Sequence, residues 1–500
     1  MLKSRRAEER RKMTRRSLLR DGSFLVAGAT FIPSILRAEE GAGSGSAAIT
    51  PVMMKLSNYM AAAKDQPLPD VVVEKAKQHI LDTFAAMVSG TELPPGKAAL
   101  KYAQEYGGKS VATVVASNVL MSAVEAALVN GQLAHSDETD DSHAPSQSHP
   151  GCGVVPAAFA AGEQFGVSGT HFLRSVALGY DVGCRVTMTL GAEPYENESH
   201  RSTHQISPTF GASAAAACAA ALTAQQMRWV LNYAAEQAAG IALWNRDPDH
   251  IEKGFDFAGG PARDGVHGAL FVHSGWTGLD DVFTGPHNFF LAFNPKADPA
   301  GLIDKLGSEF EVARTDIKRW TVGMPIQAPL DAMEFLRKQH PFTPEQVKSI
   351  AVRIAPQEGA IVDNRALPDI CMQHVVALML IDNTITFQSA HDRERMKDSA
   401  VLKQRAKVTI VPDEELGKLM PHRQATVIVT LNDGQVLTKH VDNVRGTEAN
   451  PMASEEVKTK ARDLIAPTLG ASKAQRFIDR IFALEDVKDV RELRGLLQNS

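Results

Sequence analysis

The sequence predicts a mainly α-helical bundle domain built from both ends of the chain, with an α+β domain inserted between them. At 500 residues the chain is too long for one ordinary core, so two domains are expected. Apolar residues follow a helical period from about residue 50 to 300, alternate as in strands after about residue 303, and return to a helical period over 454–497. We therefore assign residues 52–302 and 451–500 to the helical domain and residues 303–450 to the inserted domain.

Helices in the first part are indicated by apolar spacing and by end signals. After Asp70, a good N-cap residue, apolar side chains recur at steps of three and four as far as Met87, and Gly90 then supplies a stop. Ser122 and Glu125 have the spacing of a capping box. We expect one helix between Asp70 and Gly90 and another that begins just after Ser122.

A run of small residues predicts the centre of the bundle. Residues 211–222 are almost entirely alanine, glycine and serine, so a helix formed there has little side-chain bulk. Another helix is expected over about 170–187. We expect a neighbouring helix to approach residues 211–222 closely.

Strand patterns appear in the inserted domain. Residues 350–354 and 427–431 alternate apolar and polar side chains, and Asn432-Asp433-Gly434 follows the second run as a hairpin signature. Helical stretches near 327–338 and 372–382 lie among these strands, which is typical of an α+β unit.

Composition and charge limit the function classes. Hydrophobic residues make up 44% of the chain and charged residues 22%, an ordinary globular balance. The formal net charge is −5, but residues 1–38 have ten Lys/Arg against three Asp/Glu, which leaves −12 for the remainder. This balance argues against nucleic acid as the main partner. A pocket for anions must be built from a few specific basic residues.

The first residues have the pattern of an export signal. Residues 14–20, Thr-Arg-Arg-Ser-Leu-Leu-Arg, match a twin-arginine motif, and an apolar stretch over 24–36 precedes a small-residue cleavage site near Ala38. We predict a cleaved twin-arginine signal peptide at 1–38, a linker at 39–51 and a periplasmic protein; the alternative is an uncleaved anchor or a chance basic start. Since no other segment is long and apolar enough to cross a bilayer, we expect no stable membrane insertion after signal removal.

The four cysteines are too few and too scattered for a disulfide framework or a CxxC zinc site. We predict that Cys152, Cys184, Cys218 and Cys371 are free thiols.

The densest polar segment is residues 134–153, with three histidines and four carboxylates between two alanine-rich helices. Histidine exchanges protons near neutral pH, and a neighbouring carboxylate can fix its tautomer, so this loop is a candidate for acid–base chemistry. A metal site that uses His135, His143 and His149 is a second interpretation, although the spacing matches no compact metal motif. A solvated acidic loop is the third.

Basic residues stand out in later segments. His200-Arg201-Ser-Thr-His204 leads into the small-residue helix, where free backbone N–H groups suit an anion. Lys253 and Arg263 flank a glycine-rich stretch that is not a phosphate P-loop, because no GK[ST] is present. Lys318 adds a cation at the entry to the inserted domain. Taken singly, such a histidine is more often structural and such a lysine is more often a surface group.

Together and in this order, these segments resemble the MmgE/PrpD family over about residues 52–490. The markers are Ile80-Leu-Asp82-Thr83, Ala127-Leu-Val-Asn130-Gly131-Gln-Leu-Ala134-His135, Asp140-Asp141-Ser142, His149-Pro150-Gly151, Gly179-Tyr180-Asp181-Val-Gly-Cys-Arg185, Arg445-Gly446 and Asn450-Pro451-Met452. The family includes 2-methylcitrate dehydratase, cis-aconitate decarboxylase and iminodisuccinate epimerase. The resemblance implies a helical domain formed from both chain ends, an inserted α+β lid domain, a homodimer, and action on a small polycarboxylate without a metal or another cofactor.

The resemblance also implies site residues. By position, the catalytic candidates are His149, His204, Lys253, Lys318, Asp140 and Asp141. The substrate-binding candidates are Glu138, Ser142, Arg201, Gln327 and His374, and no residue is assigned to a metal. The sequence departs from the family pattern at Glu138, where the family has aspartate, and in Cys371-Met-Gln-His374, where it has Ser-x-x-Tyr.

Such a site is suited to proton transfer next to a carboxylate. Removing that proton builds negative charge, so cations such as Lys253 and Lys318 must lie where it develops, with His149 or His204 as base and the other as acid. The same intermediate can lose hydroxide, lose CO₂ or be reprotonated on its other face. We expect a lyase or isomerase, with dehydration of a 2-methylcitrate-like acid as the leading reaction and decarboxylation and epimerisation open. A non-catalytic carboxylate-binding protein and a metal-dependent hydrolase are the other classes.

Overall fold

The computed structural model describes residues 49–499, and these are mostly helical with one small mixed sheet. The predicted signal peptide and residues 39–48 of the predicted linker lie outside the described residues. Within 49–499, none of the helices combines the length and apolarity that a bilayer crossing requires. Each of the four cysteines is a buried free thiol, which confirms that prediction.

The helices before the mixed sheet are α1 (Pro51–Ala62), α2 (Asp70–Gly90), α3 (Pro94–Glu105), α4 (Ala123–Ala134), α5 (Pro150–Phe165), α6 (Gly169–Leu190), α7 (Ala192–Ser199), α8 (Thr203–Ala219), α9 (Ala224–Gln237), α10 (Ile251–Gly254), α11 (Gly260–His273) and α12 (Phe289–Phe293). Those that follow are α13 (Met324–Gln339), α14 (Pro356–Val362), α15 (Met372–Asp382), α16 (Phe387–His391), α17 (Ser399–Arg405), α18 (Glu414–Gly417), α19 (Ser454–Leu469), α20 (Ala471–Phe482) and α21 (Arg494–Leu497). The strands are β1 (Ala112–Thr113), β2 (Leu120–Met121), β3 (Val347–Ile354), β4 (Val408–Pro412), β5 (Ala425–Leu431) and β6 (Val436–Val441).

Two hydrophobic cores divide the described chain. The first contains buried residues from positions 53–317 and again from 452–497, and the second contains buried residues from positions 320–444. We call residues 49–317 and 452–499 the helical region, and residues 320–444 the mixed-sheet region. An edge-on contact between Phe84 and Phe477, with ring centroids 5.2 Å apart, is one of the links between the two chain ends.

Helix α8 lies at the centre of the first core, where small residues allow close backbone approach. A Cβ atom on Gly211 would lie 2.7 Å from the carbonyl oxygen of Gly179 on α6, and one on Gly183 would lie 2.4 Å from the carbonyl oxygen of Ser207. Separations this short are not tolerated, so glycine is required for this packing. The close approach predicted for residues 211–222 is confirmed.

The larger sheet has the order β4-β3-β5-β6, with β3 parallel to β4 and antiparallel to β5, and with β5 antiparallel to β6. Alternate residues of β5 are buried against the second core, in agreement with the alternation in the sequence. The hairpin between β5 and β6 turns at Asn432-Asp433-Gly434, where Gly434 has φ +91°, a conformation that glycine adopts without steric cost.

Two helix starts differ from the prediction. Asp70 is the first residue of α2, and Pro69 takes the N-cap position without a side-chain hydrogen bond. Helix α8 begins at Thr203, so His204 lies inside its first turn and not before it. The start at Thr203 was not predicted because the first residues of the helix are polar and Pro208 disfavours a helix interior. Tertiary packing holds this segment helical in the fold.

Candidate active site

A cavity of about 250 Å³ lies between the two cores. Residues on its helical-region wall include Glu138, Ser142, His149, His204, Trp244, His250, Lys253 and Phe257. Residues on its mixed-sheet wall include Met324, Glu358, Arg365, Leu367, Ile370 and Arg423. A concave site that brings several titratable groups together is where ligand binding and chemistry are expected.

Asp141 holds the start of α5, from which His149 enters the cavity. Its carboxylate accepts hydrogen bonds from the Tyr180 hydroxyl and from the backbone N–H of Gly151, the latter at 3.0 Å, and it lies 2.9 Å from Nδ1 of His79. These three partners surround the carboxylate, and Asp141 does not line the cavity. Its contacts are those of a residue that fixes the loop.

Asp140 lies beneath the cavity between two imidazole rings. Its oxygens are 3.0 Å from Nδ1 of His135 and 3.3 Å from Nδ1 of His149, and Nζ of Lys318 is 3.5 Å away. Burial would raise the pKa of Asp140, but the two rings and the ammonium hold it well below its ordinary value. Because a carboxylate only accepts hydrogen bonds, both rings donate from Nδ1 and keep a lone pair on Nε2 when they are neutral.

The two predicted histidines face the same cavity. His149 and His204 have ring centroids 5.3 Å apart. Burial lowers the pKa of His149 to about 4, and the Lys318 ammonium acts in the same direction while Asp140 opposes it. Burial also holds the pKa of His204 well below its ordinary value, helped by His149 and Lys253. Both rings are therefore neutral at neutral pH in the ligand-free protein.

Glu138 joins the two predicted lysines. Its carboxylate forms an ion pair with Lys253, and the backbone carbonyl of Glu138 accepts a hydrogen bond of 3.0 Å from Nζ of Lys318. Burial would raise the pKa of Glu138, but the ammonium groups of Lys253 and Lys318 hold it well below its ordinary value. The loop 135–149 thus fixes Lys318 below the cavity and Lys253 on its wall.

Phe257 packs among the histidines. Its ring stacks on His204 at 4.1 Å and 3° and on His135 at 4.6 Å and 19°, and Nζ of Lys253 lies 5.0 Å from its centroid. It belongs to a π-helical turn over Phe255–Gly259 between α10 and α11. Such turns are rare and are frequent at functional sites.

The cavity also contains residues that sequence reasoning missed: Trp244, His250, Phe257, Arg365 and Arg423. Phe257 follows Lys253 in the same glycine-rich segment, which was the one available signal. Arg423 is separated from His149 and His204 by more than 200 residues, and no spacing relates it to them.

Two family models match the chain. The model of the MmgE/PrpD N-terminal domain matches residues 54–301, and that of the MmgE/PrpD C-terminal domain matches residues 320–486. The chain belongs to the MmgE/PrpD family.

Relatives of this MmgE/PrpD protein include cis-aconitate decarboxylase-like protein oryM of Aspergillus oryzae, which is 25% identical over 479 residues, covering 89% of this chain and 97% of the relative. Cis-aconitate decarboxylase of Aspergillus terreus is 23% identical over 479 residues, covering 89% and 96%. Cis-aconitate decarboxylase of Homo sapiens is 26% identical over 461 residues, covering 86% and 91%.

The other predicted site residues of this MmgE/PrpD protein are placed as follows. Ser142 lines the cavity and pairs through its backbone with Asp316. Arg201 lies over the ring of Phe293 at 4.2 Å. The Gln327 amide is bonded to backbone groups of Trp320 and Val322. His374 is buried in α15, and neither ring nitrogen has a hydrogen-bond partner within residues 49–499. The structure does not bring Arg201, Gln327 and His374 to the cavity wall.

Two groups of buried side chains have potential metal-ligand atoms within 4.8 Å of one another: His135, Asp140 and His149, and His135, Glu138 and His250. Nζ of Lys318 lies 3.5 Å from both Asp140 Oδ1 and His149 Nδ1, so an ammonium already neutralises the first group. In the second group, the ion pair with Lys253 neutralises Glu138. His143, part of the metal interpretation, has Nε2 3.2 Å from Glu311 instead.

Proposed function

We propose that this protein is a metal-free lyase of a small polycarboxylic acid, and that its reaction is the decarboxylation of an unsaturated acid similar to cis-aconitate. The observation that supports this most is the juxtaposition of two neutral imidazoles, His149 and His204, with the Lys253 ammonium in one cavity. The relatives named cis-aconitate decarboxylase favour loss of CO₂ over the dehydration that the sequence placed first.

The proposed reaction needs no external reductant or oxidant. The bond between a carbon and one carboxylate breaks, CO₂ leaves, and its electron pair passes into the adjacent carbon–carbon double bond and the carboxylate conjugated with it. One proton from the protein then adds to carbon. Lys253 stabilises the negative charge that builds up on the remaining carboxylate.

Substrate binding supplies the missing proton donor. His149 and His204 are neutral in the ligand-free protein, and an acid with two or three carboxylates brings negative charge next to both rings. That charge raises their pKa values, so one ring takes up a proton on binding and can donate it to carbon. The fixed Nδ1–H of His149 directs this exchange to Nε2.

Fixed ammonium groups are proposed in place of a metal. Lys318 is 1% exposed and neutralises Asp140 and Glu138 from below the cavity, where a bound divalent cation would be repelled. A metal-dependent hydrolase therefore becomes the less favoured class. Incubation with a chelator should leave turnover unchanged.

Export and assembly remain proposals. We propose that residues 1–38 direct twin-arginine export to the periplasm, as their motif indicates, and that the mature protein is a homodimer like the proteins it resembles. Fractionation of cells that produce the wild-type chain or the Arg15→Lys/Arg16→Lys variant tests the first proposal. Sedimentation of the mature protein tests the second.

The deciding experiment is proton NMR of the mature protein in D₂O with cis-aconitate, citrate, 2-methylcitrate and malate. We expect consumption of cis-aconitate, with one CO₂ released and one deuterium incorporated per product molecule. A new alkene signal from citrate or 2-methylcitrate without CO₂ would favour dehydration instead. No turnover of any acid, together with tight binding by calorimetry, would favour a non-catalytic carboxylate-binding protein. The His204→Ala variant serves as the inactive control.

A further inference from the structure

Arg423 on the mixed-sheet wall has hydrogen-bond donors that the protein does not use. It lies just before β5, its side chain is 14% exposed, and it lines the cavity. Nη1 donates to Oε1 of Glu358 at 3.0 Å, whereas Nε is buried and has no partner within residues 49–499. A guanidinium presents five N–H donors in a planar fork, and a buried donor without an acceptor is costly. An anionic ligand in the cavity would accept hydrogen bonds from the N–H donors of Arg423 that Glu358 leaves free.

Arg365 lies on the same wall, and its guanidinium also has hydrogen-bond donors without a partner among residues 49–499. It is half-buried between α14 and α15 and lines the cavity. Within the described residues its guanidinium takes part in no ion pair and no side-chain hydrogen bond. Its N–H donors are therefore available to a ligand with a carboxylate, which a guanidinium can bind through two parallel hydrogen bonds.

Glu358, the ion-pair partner of Arg423, is 2% exposed, and burial raises the pKa of its carboxyl although Arg423 opposes that shift. The Glu358 carboxylate accepts a hydrogen bond from Nη1 of Arg423, whereas Nε has no acceptor among residues 49–499. The mixed-sheet wall therefore keeps guanidinium donors available for an anion.

The cations of the cavity fall into two sets on different regions of the fold. Lys253 lies with His149 and His204 on the helical wall, where the proposed chemistry takes place. Arg365 and Arg423 belong to the mixed-sheet region. A ligand that satisfies both sets must have a carboxylate at each end.

We propose that Arg365 and Arg423 bind a second carboxylate of the substrate, remote from the reacting carbon, and so select acids with at least two carboxylates. This inference rests on the proposed function, because it takes the helical wall as the reacting end. Planar arginine forks match carboxylate geometry, and this fixes the orientation of the acid as well as its affinity. By contacting both regions, such a substrate also bridges the two cores.

The test combines binding and turnover in the Arg365→Gln and Arg423→Gln variants. Tricarballylate, a saturated tricarboxylate, serves as a non-reacting probe in calorimetry, and glutarate and butyrate, which differ by one carboxylate, report selectivity. We expect each substitution to weaken tricarballylate binding about 10- to 100-fold and to reduce the preference for glutarate over butyrate. In turnover we expect KM to rise by a similar factor, with kcat changed less than about threefold.

Arg353→Gln is the matched control, because Arg353 is on β3 of the same region and pairs with Asp413 in a solvent-exposed position. Its binding constants should equal those of the wild type. Because Arg365 has no ion-pair partner within residues 49–499, its variant still tests the proposal if removal of Arg423 unfolds the protein.

Unchanged tricarballylate affinity in folded Arg365→Gln protein, or no binding of tricarballylate by the wild type, would overturn the inference. Weakened binding in the variants without turnover of any acid would support the carboxylate subsite and contradict the proposed lyase. Turnover by the wild type with unaltered KM in both variants would contradict the subsite alone.

Discussion

Nζ of Lys318 lies 3.5 Å from Nδ1 of His149; Lys318 is buried beneath the cavity, and His149 lines it. A permanent positive charge at this distance disfavours a second one on the ring, and so reinforces the effect of burial on the pKa of His149. Asp140 acts in the opposite direction and orients the ring. His149 is thus fixed and neutral, and it can gain a proton when anionic ligand charge enters the cavity.

The first prediction concerns the Lys318→Met variant. Removing the ammonium should raise the pKa of His149, since only burial and His135 then oppose the effect of Asp140. The limb of the kcat/KM profile that reports His149 should move to higher pH, and titration of the His149 ring protons by NMR should show the same shift. Loss of one partner from this buried cluster should also lower the free energy of unfolding by about 3–5 kcal/mol. Lys348→Met, on an exposed lysine of β3, is the control, and an unmoved His149 titration would refute the proposed coupling.

The second prediction tests the groups assigned to chemistry. His204→Ala should lower kcat by about 10²–10⁴-fold, because a proton donor or acceptor is lost from the cavity. Lys253→Ala should lower kcat as well, since the charge that develops on the carboxylate is no longer stabilised. The exposed His340→Ala provides a control with unchanged rates. If both site variants turned over a confirmed substrate as fast as the wild type, the site assignment would be wrong.

Helices and hairpins were predicted correctly where apolar spacing and turn residues close together in the sequence determine them. The helix between Asp70 and Gly90 and the hairpin at Asn432-Asp433-Gly434 are found where the spacing and turn residues indicated. Their hydrogen bonds join residues close in the sequence, and turn chemistry fixes the ends.

The site was predictable only in part, because its walls come from distant segments. The dense polar loop indicated His149, Glu138 and Asp140, all of which lie at or below the cavity. Arg201 and Gln327 were predicted to bind substrate. In the structure, the Arg201 guanidinium packs on the ring of Phe293, and the Gln327 amide is hydrogen-bonded to backbone groups. The residue type alone does not show whether an arginine or a glutamine binds a ligand or a neighbouring part of the protein, because tertiary packing decides this.

The third prediction concerns Phe257, whose ring is 1% exposed and packs on His204 and His135. Phe257→Leu keeps the apolar volume nearly constant but removes both stacked contacts. We expect a loss of about 1–2 kcal/mol in the free energy of unfolding and a fall in kcat larger than that loss explains, because His204 is no longer held in one orientation. Urea unfolding and steady-state kinetics measure the two effects.

The matched control for Phe257 is Phe271→Leu. Phe271 stacks on Trp276 at 4.3 Å and 8° in α11, away from the cavity. Phe271→Leu likewise removes a stacked contact, but Phe271 is only half-buried, so the variant should lower the free energy of unfolding by no more than Phe257→Leu does, while kcat stays at the wild-type value. Equal effects of the two variants on kcat would mean that Phe257 contributes stability only.

The last prediction uses an ion pair that joins the two regions. Nε2 of His391 in α16 lies 2.8 Å from Asp137 in the loop 135–149 and 3.9 Å from Asp369. Burial would lower the pKa of His391, but Asp137 and Asp369 raise it to about 9. Because this pKa is raised above that of the unfolded chain, the pair contributes fully below about pH 6.5, and its contribution is lost as the pH rises through about 9.

The free energy of unfolding should therefore fall by ~3 kcal/mol between pH 6.5 and 9.5 from this group. The His391→Asn variant should be less stable than the wild type at pH 6.5 and should lack this decline, so the two curves converge near pH 10. Burial raises the pKa of Asp369 only to about 6, below this window, so protonation of Asp369 does not obscure the decline. Urea unfolding at a series of pH values, with the exposed His340→Asn as control, measures the difference. If the free energies of unfolding of the wild type and His391→Asn ran parallel with pH, the ion pair would not link stability to protonation. If they converged, a proton-dependent contact would lie one residue from Glu138.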